Sequence, residues 1–66
     1  MVITLNGQKK EIHGISTIEM LLGSYGMKID SAVIEHNGNI LKKEDCCNTN
    51  VKDNDQIEVI TIVGGG

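Results

Sequence analysis

The sequence predicts an α+β fold, a mixed sheet of four to five strands with one helix packed across a face. Three features carry that reading. Met1, Ile3 and Leu5 alternate ahead of Asn6-Gly7, as in the first arm of a tight hairpin. Ile18, Leu21, Leu22 and Tyr25 recur at i, i+3, i+4 and i+7, a single apolar helical stripe. A run rich in β-branched residues, from Gln56 to Val63, closes the pattern.

The elements follow in order. Asn-Gly tolerates the positive φ angles of a type I′ turn, so Gln8 to Ile12 returns as the second arm. Lys9 and Lys10 suit a sheet edge, where charge discourages pairing with other chains. Ser16-Thr17-Ile18-Glu19 fits a capping box with Ser16 as the cap and Glu19 reaching back. The helix then places Glu19, Met20, Gly23 and Ser24 opposite the stripe, and Gly26 ends it in a left-handed conformation. Ala32 to His36 reads as a third strand, Asn37-Gly38 as a second tight turn, and Asn39-Ile40-Leu41 as a short return. Residues 42–54 are polar and turn-rich, with Val51 as the apolar anchor. In the last strand Ile57, Val59, Thr61 and Val63 face one way, and Glu58, Ile60 and Ile62 the other. Apolar residues on both faces suit a central strand or one covered by a partner. With the first and last strands side by side and parallel, the helix becomes part of a right-handed crossover. That arrangement is a β-grasp, the ubiquitin-like fold, over residues 1–63, followed by a flexible glycine tail over 64–66.

Composition narrows the function. A chain of 66 residues is one domain at most. At this size about 60% of the unfolded chain's surface is buried, leaving little room for an enclosed substrate pocket beside the core. The net charge is −3, every basic residue is a lysine, and Tyr25 is the only aromatic residue. Nucleic acid is therefore a poor partner, and a basic protein surface a better one. No run is long and apolar enough to suggest a membrane span, and Lys9-Lys10-Glu11 interrupts any signal-peptide core. Cys46 and Cys47 are adjacent, so a bridge between them would close no loop, and two thiols are too few for an iron–sulfur cluster. A reducing, cytoplasmic setting and a monomeric free state are the expectation.

The chain ends on Gly64-Gly65-Gly66. Glycine packs nothing and loses the most entropy on ordering, so such a tail can be a frayed end. It also has the form that carboxylate activation requires. An acyl-adenylate survives only in a site closed to water, which a globular body cannot enter but a thread can. Three residues reach about 10 Å. Without a Cβ, the tail passes a narrow channel and leaves the terminal carbonyl open to sulfur or to an enzyme thiol. Gly66 then carries the reactive carboxylate, Gly64 and Gly65 supply the reach, and Ile60 and Ile62 form a candidate partner patch beside the tail.

Several motifs together resemble the ThiS family of thiamine-biosynthesis sulfur carriers. They are Leu5-Asn6-Gly7, Ser16-Thr17-Ile18 with Leu21-Leu22, the Val33 to Gly38 strand and turn, the segment from Val51 to Ile60, and Val63-Gly64-Gly65-Gly66. The chain departs in having Asp53-Asn54-Asp55 where members usually have Asp-Gly-Asp, and in lacking an aromatic residue near Cys46-Cys47. The resemblance implies a non-enzymatic, recycled co-substrate. A ThiF-like enzyme would adenylate Gly66 with ATP and Mg, which this chain does not itself bind. A cysteine desulfurase or rhodanese-like donor would supply sulfur to form a thiocarboxylate. A ThiG-like thiazole synthase would then take up that sulfur. The alternatives are a carrier similar to MoaD, the molybdopterin synthase small subunit, and a ubiquitin-like protein modifier.

Other residues suggest less. Glu44 and Asp45 precede the cysteines and would raise their thiol pKa, against a persulfide relay. His13 and His36 lack metal-ligand spacing and read as surface or strand residues, and Asp53 and Asp55 read as turn formers.

Overall fold

A computed structural model describes residues 1–61; residues 62–66, for which the sequence predicts a strand end and a glycine tail, lie outside them. The chain runs β1 (Val2–Leu5), β2 (Gln8–Glu11), α1 (Ile18–Ser24), β3 (Ala32–His36), β4 (Asn39–Leu41) and β5 (Gln56–Thr61). Short 3₁₀ turns occupy Ile29–Ser31 and Lys43–Asp45. The strands form one mixed sheet in the order β2-β1-β5-β3-β4. β1 and β5 are parallel, while β1/β2, β3/β4 and β3/β5 are antiparallel. This is the β-grasp arrangement the sequence predicts, with β5 at the centre and the lysine-bearing β2 at an edge.

Both hairpin turns have the expected geometry. Asn6 and Gly7 sit at φ +50° and +80°, and Asn37 and Gly38 at +52° and +87°, the paired left-handed conformations of a type I′ turn. The two asparagines also do something the turn pattern alone does not announce. Val59 N–H donates to Asn6 Oδ1 at 2.7 Å, and Gln56 N–H donates to Asn37 Oδ1 at 2.8 Å. The side chains at both hairpin tips thus fasten the central strand.

The helix start differs from the capping box. Thr17, not Ser16, is the N-cap, with extended φ/ψ and its Oγ1 accepting from Met20 N–H at 3.2 Å. Ser16 instead accepts at its carbonyl from Val51 N–H, and Thr17 bridges to Asn50. Helix N-termini leave unpaired donors, and here the 42–54 loop meets them: Ile18 N–H donates to Thr49 O and Glu19 N–H to Cys46 O. The long loop and the helix start are therefore one unit. Thr17→Ala should cost about 1 kcal/mol, lowering Tm by about 4–8 °C in a domain of this size, whereas Ser16→Ala should change it little. Thermal melts followed by circular dichroism separate the two, and equal effects would refute the assignment.

The helix ends in a Schellman motif. Gly26 has φ +70°, Met27 N–H donates to Leu22 O and Gly26 N–H to Gly23 O. Tyr25 is the C-cap and is exposed, a correction to the predicted stripe. The chain leaves the helical path at that residue, so i+7 no longer faces the sheet, and Met27 packs against the core from beyond the turn. The core itself comprises Ile3, Leu5, Ile12, Ile18, Leu21, Leu22, Ile34, Cys46, Val51 and Ile57.

Candidate functional site

Strand alternation divides the sheet into two chemically different faces. Ile34 and Ile57 are almost fully buried beneath α1, and Val59 is half-buried on the same side. Their neighbours Val33, Glu35, Glu58 and Ile60 therefore point to the opposite, outer face. Ile60 is 53% exposed and stands directly across from Val33. Ile40, 73% exposed, stands across from Glu35 on the β4 side. The 42–54 loop does not cover this face: its apolar residues, Val51 and Cys46, enter the main core instead. Ile60 thus lies where the sequence places it, in the strand leading to the tail. Ile62, Gly64, Gly65 and Gly66 lie outside the described residues.

No cavity opens among the described residues, and no three His, Cys, Asp or Glu side chains converge there as a metal site requires. The cysteines differ in kind. Cys46 is buried, its Sγ 3.5 Å from Lys42 O, and Cys47 is exposed; both are free. Burial pushes the Cys46 thiol pKa up, with the carboxylates of Glu19 and Asp45 adding to it. The expected direction holds for Cys46, but the dominant cause is its place in the core rather than the adjacent acids.

One polar cluster was not legible as such. His36 and Asp55, which the sequence gives no reason to join, meet across the sheet end. His36 Nε2 donates to Asp55 Oδ2 at 2.8 Å, Asn37 Nδ2 donates to Oδ1 at 3.1 Å, and Lys52 N–H donates to Oδ2 at 2.8 Å. Asp55 is buried, and burial alone would raise its pKa. The hydrogen bonds from His36, Lys52 and Asn37 outweigh that effect, so its carboxyl lies below the ordinary value of 3.8. The turn role expected of Asp55 is real, because it accepts from Lys52 three residues earlier. Asn54 takes φ +70° between Asp53 and Asp55, as an asparagine replacing glycine can, and Asp53 Oδ1 accepts from Val2 N–H at 2.7 Å. These residues set the start of β5.

A five-stranded β-grasp sheet with parallel first and last strands and one crossing helix defines a small ubiquitin-like domain. The sequence model of the ThiS family matches residues 3–66, and the chain belongs to that family. The crystal structure of the thiamine biosynthesis protein ThiS from Geobacter metallireducens superposes with a TM-score of 0.84 at 30% identity, covering 100% of both chains. A thiazole synthase from Paramagnetospirillum magneticum is 30% identical over 66 residues, all of this chain but only 20% of that protein. The chain therefore spans about one fifth of that relative. Protein ycf40 of Trieres chinensis is 32% identical over 62 residues, 94% of this chain and 85% of its own length.

Proposed function

We propose that this protein is a sulfur carrier of thiamine biosynthesis whose working group is the Gly66 carboxylate. The observation that carries the reading is the family match, which continues through Gly64-Gly65-Gly66. In this reading an adenylating enzyme uses ATP and Mg to join the carboxylate to AMP, releasing pyrophosphate. The outer sulfur of a persulfide on a desulfurase or rhodanese-like donor then displaces AMP to give an acyl disulfide. Attack of a second thiol on the donor sulfur breaks that S–S bond, releasing –COSH and leaving the donor as a disulfide. The carrier supplies no acid, base or nucleophile; it presents a thread, and its body provides recognition. Ile60, and Ile62 beyond it, would contact the partner beside the tail.

The thiazole synthase relative supports that class of acceptor, because a segment as long as this entire chain recurs within a protein of that name. The test is intact-mass spectrometry of the purified chain after incubation with its cognate adenylating enzyme, ATP, Mg and a sulfur source. Exchange of one oxygen for one sulfur at the C-terminal residue is expected. Covalent attachment to other proteins would instead indicate a modifier, and an unchanged mass would overturn both. Sulfur delivery to a molybdopterin precursor but not to thiazole would favour the MoaD-like alternative.

A further inference from the structure

β3 and β5 place two glutamates directly opposite each other on the outer face. Glu35 pairs with Glu58 in the antiparallel register, two residues along each strand from the Val33–Ile60 pair. Directly opposed side chains have Cβ atoms about 4.5–5.5 Å apart, and like charges in that position oppose folding. The ion pairs among the described residues join His13 to Glu11, His36 to Asp55 and Lys43 to Asp30, and none reaches either glutamate. Neither carboxylate takes part in a side-chain hydrogen bond of the described body. Glu35 is half-buried and Glu58 exposed. Around the pair the face is apolar: Ile40 stands beside Glu35 across β4, and Val33 and Ile60 fill the next row. An exposed sheet face thus combines an apolar frame with an uncompensated pair of negative charges, on the strand that leads into the tail.

We infer that this face docks a thiazole synthase-type partner through an apolar surface carrying a guanidinium that bridges Glu35 and Glu58. The inference rests on the sulfur-carrier reading above and deepens it. Charge complementarity sets the chemistry of the occupant. One planar guanidinium presents several N–H donors in a fixed fork and can satisfy two neighbouring carboxylates, which a point-like ammonium does less well. Its stem and the side chains around it would cover Ile40, Val33 and Ile60. The choice of thiazole synthase follows from the relative of that name, in which a segment matching all 66 residues of this chain at 30% identity lies within the same polypeptide. The like-charge repulsion in the free carrier is relieved in the complex, so the pair favours the bound state at the expense of the free one.

That opposition makes the test specific. Glu35→Gln and Glu58→Gln keep shape and remove charge, so each should raise Tm by a few degrees or leave it unchanged. Each should also weaken binding to the cognate thiazole synthase by about tenfold in isothermal titration calorimetry. Ile60→Asp serves as a second variant, expected to weaken binding more while the buried core residues remain. Wild-type binding should also fall as salt rises, and the Gln variants should show a shallower salt dependence. Unchanged affinity in both Gln variants overturns the inference, as does a loss seen only with the adenylating enzyme. The wild-type chain separates this from the broader reading. If it acquires sulfur and binds thiazole synthase while the variants bind equally well, only the docking assignment fails. If the wild-type chain does neither, both fail.

Discussion

Removing Gly65 and Gly66 is expected to abolish sulfur acquisition while leaving the fold and Tm essentially unchanged. The two halves of that result have separate causes. The core is built from residues between Ile3 and Ile57, with Val59 packed against it, so no core side chain is lost. Truncation to Gly64 moves the terminal carboxylate back by two residues, about 7 Å of extended chain. Acyl activation tolerates little of that, since misplacement of reacting groups by about 1 Å can cost about 10²-fold. Gly66→Val tests the same point without shortening the chain. A β-branched side chain next to the terminal carbonyl would crowd sulfur's approach and should reduce the rate by a comparable factor. The readout is intact mass after incubation with the adenylating enzyme, ATP, Mg and a sulfur donor, with a thermal melt alongside. If the truncated chain still gained sulfur, the carboxylate would not be the acceptor. The exposed thiol of Cys47 would then become the group to replace, by Cys47→Ser.

Local signals predicted the elements well because each is set by neighbours in sequence. The two Asn-Gly turns, the alternation in β1 and β5, and the left-handed Gly26 needed no knowledge of distant residues. The departures all involve long-range partners. Ser16 and Thr17 are both acceptable caps by residue type; the choice falls to Thr17 because Val51 and Asn50 engage the backbone on either side of that junction. Tyr25 continued the stripe on paper, but the Schellman turn at Gly26 comes one residue later and hands its place to Met27. Cys46 looked like part of a polar loop and is a core residue, since the loop folds back beneath the helix start. The outer-face position of Ile60 followed from period-two alternation and was readable at once. The opposition of Glu35 to Glu58 was not, because it depends on the β3/β5 register, which two sequence segments more than twenty residues apart do not reveal.

Replacing Asp55 should be the most damaging change to a polar side chain of the body. Its carboxylate accepts from His36, Asn37 and the backbone of Lys52. These contacts tie the β3–β4 turn to the entry of β5, where Gln56 N–H is in turn held by Asn37. Asp55→Ala removes this buried acceptor from the half-buried His36 and from the more exposed Asn37 and Lys52, at about 2–4 kcal/mol for the cluster. That is a large part of the roughly 3–10 kcal/mol available to a domain of this length, so Tm should fall by well over 10 °C. The pH dependence has a definite sign. Because the folded-state pKa is depressed, the native protein binds this proton less readily than the unfolded chain does. The contribution is therefore fully present above the ordinary value of 3.8 and is lost as pH falls through the lower folded value. Urea unfolding at neutral pH and in steps from about pH 5 to 2 measures both effects. Asp55→Asn, which retains shape and one acceptor oxygen, should lose less at neutral pH and should show a shallower acid slope than the wild-type chain. Parallel acid profiles for the two would remove Asp55 as the source of that slope. An Asp55→Ala protein of unchanged stability would mean that the cluster is decoration on a turn already fixed by Asn37 and Asn54.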